Sequence, residues 1–358
     1  MCIYLLQQPG LHYNSAEHVI PAGLGGMQKL PLDYVSAEFN NKSSVLELAF
    51  LRSSTLALPR QLHGPGKRGS LSADKATKSK VSVFSRQPDE QDFSLGYIQA
   101  GRPVEIPHIV CDTQDASCTI GLSKEATEQQ VQEFKQLLLR FDEKRVRLIK
   151  HPPLGTTVLL GVQAGLESSI DYYIASRDGT TYPFTADLTA DLAAQITDKS
   201  TFTGANRSHV RTHQSAIIND DYFRCCAKIA FNALAHLKGQ VLVTHECFNP
   251  LRNWIVNRGD NEFAVPAPGQ HTELKQFFPE YAHYVLITKV DKQLIADVCF
   301  YNYFHHNIYL TDDFPAAWRL EGFVCDWQAK KEYELYDFLA RLPSLQAGPP
   351  MGHGAVAS

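Results

Sequence analysis

The chain has 358 residues, of which 44% are hydrophobic and 20% charged, and its formal net charge is -4. This composition excludes a disordered or fibrous chain, and it excludes the strong overall positive charge of a general nucleic-acid-binding protein. A chain of 358 residues is too long for one small hydrophobic core, so we expect a small and a large domain.

The lengths of the apolar runs and the pattern of cysteines both bear on the cellular compartment of the protein. The sequence has no run of eighteen apolar residues, and its start, MCIYLLQQPG, lacks the basic leader and the apolar length of a signal peptide. The eight cysteines are scattered singly, apart from adjacent Cys225 and Cys226, and form no regular disulfide framework. We therefore expect a cytoplasmic protein with buried thiols and no membrane partner.

Residues 1–50 predict a small domain in the order strand, strand, helix. A short apolar start is followed by a turn at QQPG, and a strand around His18 to Ile20 is followed by a glycine-rich turn. A helix starts near Ser36 and carries Leu46 and Phe50 four residues apart, as on one helix face.

Residues 51–90 are rich in Gly, Ser and Pro and are distinctly basic, with eight Lys and Arg residues against three acids. Such a stretch is commonly a solvated linker. Because it directly follows the predicted helix, it is also a candidate for phosphate contacts that give salt-dependent affinity without sequence readout. The candidate nucleic-acid contacts are Arg60, Lys67, Arg68, Lys75, Lys78 and Lys80.

Residues 91–345 predict a larger domain, which begins with a helix and two strands. The helix lies in SKEATEQQVQEFKQLLLRFDEK, with Ser123 as its N-cap and an apolar stripe along one face. Strands are expected at residues 145–150 and 156–162. A second helix, DDYFRCCAKIAFNALAHLKG, starts on two acids and ends at Gly239. A third, NPLRNWIVNRG, is capped by Asn249.

The rest of the large domain predicts a β-meander. The run HYVLITKVDKQLIADVCFYNYFHHNIYL is dominated by β-branched and aromatic residues, with a turn near DK. The tail, residues 346–358, is rich in Gly, Pro and Ala and is expected to be disordered. The whole sequence therefore predicts the α+β class, with a small N-terminal domain followed by a larger mixed α/β domain.

The stretch SAEHVIPAGLGG, residues 15–26, carries side chains suited to phosphodiester hydrolysis. That reaction needs a base to activate water and a cation to neutralise the charge that develops on the phosphate. A neutral imidazole at His18 supplies the base, and a carboxylate at Glu17 holds Mg²⁺ through hard oxygen ligands. A glycine-rich turn then lets a helix start bring Asn40 to the same ion. The Glu-His pair alone is commonly just the end of a surface strand.

Together, EHVIPAGLGG and LDYVSAEFNNK resemble the HNH endonuclease family, the ββα-metal nucleases, in the branch whose motif runs CxxC, EHIIP, LGG and CxxCNN. The resemblance covers residues 1–50. It implies that His18 is the general base, that Glu17 and Asn40 bind one Mg²⁺ or Mn²⁺ ion, and that Asp33 supports the base. It also implies DNA, as duplex, for the partner. The segments KIAFNALAHLKGQ and FNPLRNWIVNRG look like those that accompany this nuclease domain.

The sequence departs from that family at its zinc-binding cysteines. Members with two CxxC pairs hold a structural Zn²⁺ through four thiolates, whereas this chain reads CIYL at residues 2–5 and SAEF at residues 36–39. A single remaining thiolate is too few for that zinc. We expect no structural zinc, and apolar packing in its place with Leu5 and Phe39 as direct contacts.

Two functions from different classes remain open. The first is a divalent-metal-dependent DNA endonuclease with His18 as general base. The second is a catalytically inactive HNH-like module that binds nucleic acid or a protein partner. The retained Glu17, His18 and Asn40 favour the enzyme, and the lost cysteines favour the module.

The other histidines give weaker predictions of a functional site. His209 and His213, in HVRTH, have the spacing of a zinc-binding pair, but no third ligand of an obvious kind is close in the sequence. His305 and His306 stand in an aromatic, strand-like run and are expected to be structural.

Overall fold

The computed structural model describes residues 1–6, 8–85, 93–114, 117–121, 127–164, 169–180, 184–196, 211–212, 216–267 and 272–342. The described helices are α1 (Ala37–Ser53), α2 (Ala57–Leu62), α3 (Glu128–Leu138), α4 (Ala186–Gln195), α5 (Asp220–Lys238), α6 (Gln240–Val243), α7 (Asn249–Asn257), α8 (Thr272–Lys275) and α9 (Leu335–Leu339). The described strands are β1 (Ser82–Ser85), β2 (Phe93–Gln99), β3 (Arg102–Glu105), β4 (His108–Asp112), β5 (Cys118–Gly121), β6 (Val146–Lys150), β7 (Thr157–Ala164), β8 (Ile170–Ser176), β9 (Arg211–Thr212), β10 (Ala264–Pro266), β11 (His283–Val290), β12 (Gln293–Phe300), β13 (Phe304–Thr311), β14 (Glu321–Asp326) and β15 (Lys331–Glu334). Helices and sheets are both present, as the α+β prediction requires.

The chain forms two compact units, and the second is inserted in the sequence of the first. Unit 1 comprises the described residues of Met1–Thr77 and those from Ala216 onward, and unit 2 comprises the described residues of Lys78–Ser215. The structure therefore divides the chain after residues 77 and 215, whereas the sequence predicted divisions at residues 50 and 90. The predicted tail, residues 346–358, lies outside the described residues.

Unit 1 is built on an antiparallel sheet in the order β10-β13-β12-β11-β14-β15. Successive side chains of a strand point to opposite faces, and β11 divides accordingly. Val285 and Ile287 join the core that includes α5, whereas Tyr284 and Leu286 join a second core with Phe338 of α9. The predicted meander is confirmed as β11, β12 and β13.

Helix α5 is the central element of unit 1, and its predicted ends are confirmed. The Asn219 side chain accepts a hydrogen bond from the Tyr222 backbone N–H, and two acids occupy the first turn, where they favour the helix dipole. Gly239 ends the helix at a φ of 81°. Most α5 side chains from Tyr222 to Ala235 are buried, because the helix packs in one core with the sheet and with the N-terminal residues of unit 1.

The N-terminal residues of unit 1 form a short hairpin followed by α1. The Val19 N–H donates to the Gln28 carbonyl at 2.9 Å, and the Leu30 N–H donates to the Glu17 carbonyl at 2.8 Å. The predicted strand is thus reduced to a single bridge between His18 and Lys29. The helix predicted near Ser36 is confirmed, and the Ser36 hydroxyl caps it by accepting the Phe39 N–H.

The segment after α1 was predicted to be a linker. The structure shows it folded as far as Thr77, where the first segment of unit 1 ends. They contain α2 and two short 3-10 helices, Lys67–Gly69 and Ala73–Lys75. Leu56 is fully buried in the unit 1 core. The backbone N–H of Ile217 donates to the Ser53 carbonyl at 2.8 Å, which ties the two sequence segments of unit 1 together.

Unit 2 contains two sheets, in the orders β3-β2-β1-β9 and β5-β4-β7-β8-β6. In the second sheet β6 and β8 are parallel and the other pairs are antiparallel. Alternate residues of β8 serve different cores: Tyr172 and Ile174 pack with α3 and α4, whereas Tyr173 and Ala175 pack with residues of the first sheet. The two strands predicted at 145–150 and 156–162 are confirmed as β6 and β7.

Two predicted helices are confirmed with different caps, and one cysteine prediction is corrected. Helix α3 is capped by Thr127, while the predicted cap, Ser123, lies outside the described residues. Helix α7 begins at Asn249 with Phe248 at its N-cap position. Cys111 and Cys118 form a disulfide between neighbouring strands β4 and β5, instead of the predicted free thiols.

Five of the remaining six cysteines follow the prediction of buried thiols, whereas Cys247 is free but only half-buried. Cys2, Cys225, Cys226, Cys299 and Cys325 are free and buried. In the described part of the chain, no helix combines the length and the apolar character needed to cross a membrane.

Candidate functional site

The candidate site is centred on Glu17 and His18, at the first arm of the N-terminal hairpin. Glu17 is 8% exposed, and His18 is half-buried. The turn that joins the two arms depends on glycine: a Cβ on Gly26 would lie 1.8 Å from the Ile20 carbonyl oxygen, and Gly25 has a φ of 90°. The LGG sequence therefore sets the path that returns the chain to His18.

Helix α5 holds this hairpin arm through the side chains of Lys228 and Asn232, which lie one helical turn apart. The Asn232 amide Nδ2 donates to the His18 carbonyl at 3.0 Å, and the Tyr4 hydroxyl donates to Asn232 Oδ1 at 2.6 Å. The Tyr4 hydroxyl also lies 3.2 Å from the Lys228 carbonyl. A chain of hydrogen bonds thus runs from the first residues through α5 to the backbone of His18.

The side chain of Lys228 forms an ion pair with two carboxylates of the N-terminal residues. Its Nζ lies 2.5 Å from Glu17 Oε1 and also contacts Glu47 Oε1, which α1 supplies. The Lys228 side chain is 4% exposed, against 11% for Glu17 and 24% for Glu47. Two negative charges and one positive charge therefore meet in a nearly dry part of unit 1.

The charge state of this cluster follows from its contacts. Burial lowers the pKa of Lys228, but the Glu47 and Glu17 carboxylates outweigh that effect, so that the pKa lies above its ordinary value. Burial also lowers the pKa of the His18 imidazole below 6.5, Lys29 lowers it further, and Glu17 acts in the opposite direction. Lys228 is therefore charged and His18 neutral at pH 7.

Two further predicted site residues lie on other parts of the same segment. Asn40 is half-buried on α1, seven residues before Glu47 and so two turns away on the same helix face. Within the described part of the chain its amide has no hydrogen-bond partner. Asp33 is exposed, and its backbone carbonyl accepts the N-terminal ammonium of Met1 at 3.3 Å. The contacts of Asp33 do not bring it to His18.

The donor set does not match the expected Mg²⁺ or Mn²⁺ ion in this arrangement. A divalent ion on Glu17 would stand beside the fixed ammonium of Lys228, which already shares that carboxylate. Repulsion between like charges is strong where water is scarce. Among the described residues, no three His, Cys, Asp or Glu side chains are grouped so that they could hold a metal ion.

Of the four positions compared with zinc-binding cysteines, Cys2 and Ser36 are in contact, and Phe39 packs against a neighbouring ring. The Ser36 N–H lies 3.5 Å from Cys2 Sγ, and both residues are fully buried. Phe39 stacks on Tyr4 with ring centroids 3.9 Å apart and planes 6° apart. Leu5 was predicted to contact Phe39 and is partly buried against the same core. The ring that stacks on Phe39, however, belongs to Tyr4, the residue just before Leu5.

The basic residues predicted to contact nucleic acid do not share one environment. Lys67, Arg68 and Lys75 are exposed on unit 1. Arg60 is a correction: it is 6% exposed and its guanidinium donates to the Leu51 carbonyl at 2.9 Å, so it faces the protein interior. Lys78 and Lys80 are exposed on unit 2, with Lys78 Nζ 4.9 Å from the centre of the Tyr97 ring.

The Lys67-Arg68 turn lies directly against the glycine-rich turn of the hairpin. Gly69 approaches so closely that a Cβ there would lie 3.0 Å from the Ala22 carbonyl oxygen and 3.2 Å from Gly25 Cα. Arg68 has a φ of 51°, which is uncommon for a side chain other than glycine, asparagine or aspartate. Two exposed cations are therefore presented beside the loop that follows His18.

Sequence reasoning missed Lys228, Glu47, Asn232 and Tyr4. One signal was available: Lys228 and Asn232 are polar residues four apart within the otherwise apolar stretch Cys225–Ala235, and such residues share a helix face. Nothing local in the sequence pairs them with residues near the N-terminus, more than two hundred positions away.

The other histidines that the sequence singled out have separate outcomes. His305 and His306 are buried in β13, where His305 Nδ1 lies 3.1 Å from Asp297 Oδ1 and His306 Nε2 lies 2.8 Å from the Tyr222 hydroxyl. They are structural, as predicted. His209 and His213 lie outside the described residues.

Comparison with known proteins adds no relative. The chain matches no protein-family model, no curated protein and no solved structure.

Proposed function

We propose that unit 1 is a nucleic-acid-binding module that contacts the phosphate backbone with the hairpin turn and the Lys67-Arg68 turn beside it. The observation that carries this proposal is the close packing of these two exposed cations against the glycine-rich loop. Cations on a fixed turn attract phosphates without reading the bases. The likeness of EHVIPAGLGG and NNK to HNH endonucleases supports nucleic acid, with duplex DNA first, as the partner.

The environment of Glu17 favours a module over a metal-dependent enzyme. The carboxylate that would hold the metal ion is ion-paired to a buried lysine. Breaking that pair leaves an uncompensated buried charge, which is strongly unfavourable. The hairpin arm is therefore fastened to α5 by the same side chain that a nuclease would offer to its ion.

The binding proposal is tested by fluorescence anisotropy with labelled duplex DNA, single-stranded DNA and RNA across 50 to 300 mM KCl. We expect duplex affinity to fall as salt rises. In the Lys67→Ala/Arg68→Ala variant, the slope of log affinity against log salt should drop by about 2, since each phosphate contact contributes about 0.9. Lys144→Ala/Arg145→Ala is the matched control, because this exposed Lys-Arg pair also stands in a 3-10 helix, on unit 2.

Two results would contradict the binding proposal. No measurable binding to any of the three nucleic acids at 50 mM KCl would remove nucleic acid as the partner. Equal loss of affinity in the control variant would mean that net charge, and not the turn beside the hairpin, governs binding.

The second candidate is the divalent-metal-dependent DNA endonuclease, and one observation favours it. The His18 imidazole is neutral and half-buried, and within the described residues no hydrogen bond occupies its ring, so a ring nitrogen is free to take a proton from water. Supercoiled plasmid incubated with the protein and Mg²⁺ or Mn²⁺ decides between the candidates. Nicking that disappears with EDTA and in His18→Ala would establish the enzyme, whereas binding without nicking supports the module.

A further inference from the structure

The disulfide between Cys111 and Cys118 joins a buried residue to an exposed one. Cys118 begins strand β5, whose first three residues are all exposed. Cys111 is 1% exposed and belongs to the apolar core that includes Phe134 and Val158. A thiol in solution can therefore reach the Cys118 end of the bond, whereas the protein interior covers the Cys111 end.

Strand β5 is attached to unit 2 mainly by backbone pairing and by this disulfide. Among the described strands it pairs with β4 alone, at the edge of the sheet, over four residue pairs that end at Cys111 and Cys118. Just beyond the disulfide, the Asp112 N–H donates to the Ser117 carbonyl at 2.9 Å. The apolar cores of the described part of unit 2 include no residue of β5. The bond can therefore open while those cores stay packed.

The other six cysteines are poorly suited to exchange with thiols in solution. Five of them are buried, and Cys247 is half-buried. Burial raises the pKa of Cys247 and of four of the buried thiols, Cys225, Cys226, Cys299 and Cys325. The thiolate is the form that attacks a disulfide, so these thiols react slowly. Exchange is thus directed to the one existing bond.

We propose that Cys118 is a thiol-exchange site at which low-molecular-weight thiols form a mixed disulfide with the chain. A thiolate from solution attacks Cys118 Sγ, and the new sulfur–sulfur bond forms as the bond to Cys111 breaks. The electron pair of the broken bond goes to Cys111 Sγ, which takes up a proton from water. The reagent thiol is oxidised to a disulfide and Cys111 is reduced to a thiol, so the step needs no other oxidant or reductant.

The apolar surroundings of Cys111 allow the mixed disulfide to persist. The reagent leaves again when the Cys111 thiolate attacks Cys118. A thiol among apolar side chains stays protonated, however, and the protonated form is a poor nucleophile. The adduct on Cys118 therefore accumulates. This site is in unit 2, and it is independent of nucleic-acid binding by unit 1.

The experiment treats the native full-length chain with 2-mercaptoethanol, a neutral monothiol whose approach does not depend on charge. Samples are quenched with acid over time, and peptide mapping by mass spectrometry without reduction locates each disulfide. We expect one adduct per chain, on Cys118, with Cys111 as a free thiol. Cys247→Ser is the matched control: it removes the most exposed of the other six thiols and should leave the adduct unchanged.

Two single variants measure the difference between the two ends of the bond. Cys111→Ala leaves the Cys118 thiol, and Cys118→Ser leaves the Cys111 thiol. With the oxidised form of 2-mercaptoethanol as reagent, the Cys118 thiol should form its adduct at least about ten times faster than the Cys111 thiol, because exchange rates depend on access. The wild-type mapping needs no substitution and decides even if a variant does not fold.

Three results would overturn the proposal. In the first, the wild-type disulfide stays intact in the native chain and opens only after unfolding in urea. In the second, the wild-type adduct is on Cys111, or the two single variants react at equal rates. In the third, the bond is reduced with no adduct at any time point, because the mixed disulfide would then be short-lived.

Discussion

Acid should unfold unit 1 through two histidines that its core keeps uncharged. His283 is fully buried in β11, and its Nδ1 accepts the Tyr301 backbone N–H at 3.0 Å. His306 is 4% exposed in β13, beside the Tyr222 hydroxyl. Burial lowers the pKa of His283 from 6.5 to about 3 and that of His306 to about 4. In both cases desolvation is the main cause, because the charged imidazolium is poorly solvated in an apolar core.

The sign of the effect follows from proton binding in the two states. Below pH 6.5 the unfolded chain takes up a proton at each imidazole, whereas the folded chain does so only near its lowered pKa. The stabilisation is therefore complete above pH 6.5 and is lost as the pH falls toward 4 for His306 and toward 3 for His283. One pH unit corresponds to about 1.4 kcal/mol per group, so acidification to pH 5 costs about 2 kcal/mol per histidine and about 4 kcal/mol for the pair.

Urea unfolding at pH 7.5, 6 and 5, followed by tryptophan fluorescence, measures this loss. In His283→Asn an amide oxygen replaces the accepting Nδ1, and in His306→Gln an amide replaces Nε2, so both variants retain a hydrogen-bonding group. Each variant should lose about 2 kcal/mol less than the wild type between pH 7.5 and pH 5. A wild-type free energy of unfolding that stays flat across this range, or variants that lose as much as the wild type, would refute the reasoning.

Three further predictions concern the N-terminal residues. Phe39→Ala should lower the free energy of unfolding by about 3 to 5 kcal/mol, because a buried ring stacked on Tyr4 is replaced by a cavity; urea titration of Phe39→Leu, which should lose less, is the comparison. Arg252→Ala should cost about 2 kcal/mol, since the Ile3 carbonyl loses the guanidinium that donates to it at 2.7 Å, and a variant as stable as the wild type would show that water replaces this contact. His18→Ala should have a free energy of unfolding within about 1 kcal/mol of that of the wild type, because the His18 side chain is half-exposed and its backbone contacts remain. A larger loss in the same assay would make His18 a structural residue.

The sequence predicted the elements around the site because their signals are local. Gly26 is required by a steric contact with the carbonyl of Ile20, six residues earlier, and Ser36 caps α1 through a residue three positions later. The two acids in the first turn of α5 and Gly239 after it likewise act within a turn of the helix ends. Such patterns are readable without knowing the fold.

The partners of the site residues were not predictable in the same way. Glu17 could be read as a metal ligand because its own sequence motif contains no cation, and Lys228 lies 211 positions further along the chain. Arg60 was taken for a surface cation because it belongs to the basic segment 51–90, yet its guanidinium turns inward to the Leu51 carbonyl. The charge content of a segment predicts whether the segment tends to lie at the surface. Tertiary contacts decide whether each of its side chains is exposed or buried.

The insertion of unit 2 within unit 1 has a consequence for synthesis on the ribosome. The N-terminal residues of unit 1 emerge first, but the helix that buries Tyr4 and Phe39 belongs to residues made after all of unit 2. At ordinary rates of translation the delay is on the order of ten seconds. During that interval the nascent chain exposes apolar side chains that have no partner yet, while unit 2, a contiguous segment, can already fold. The N-terminal segment of unit 1 is thus covered only after unit 2 has been made.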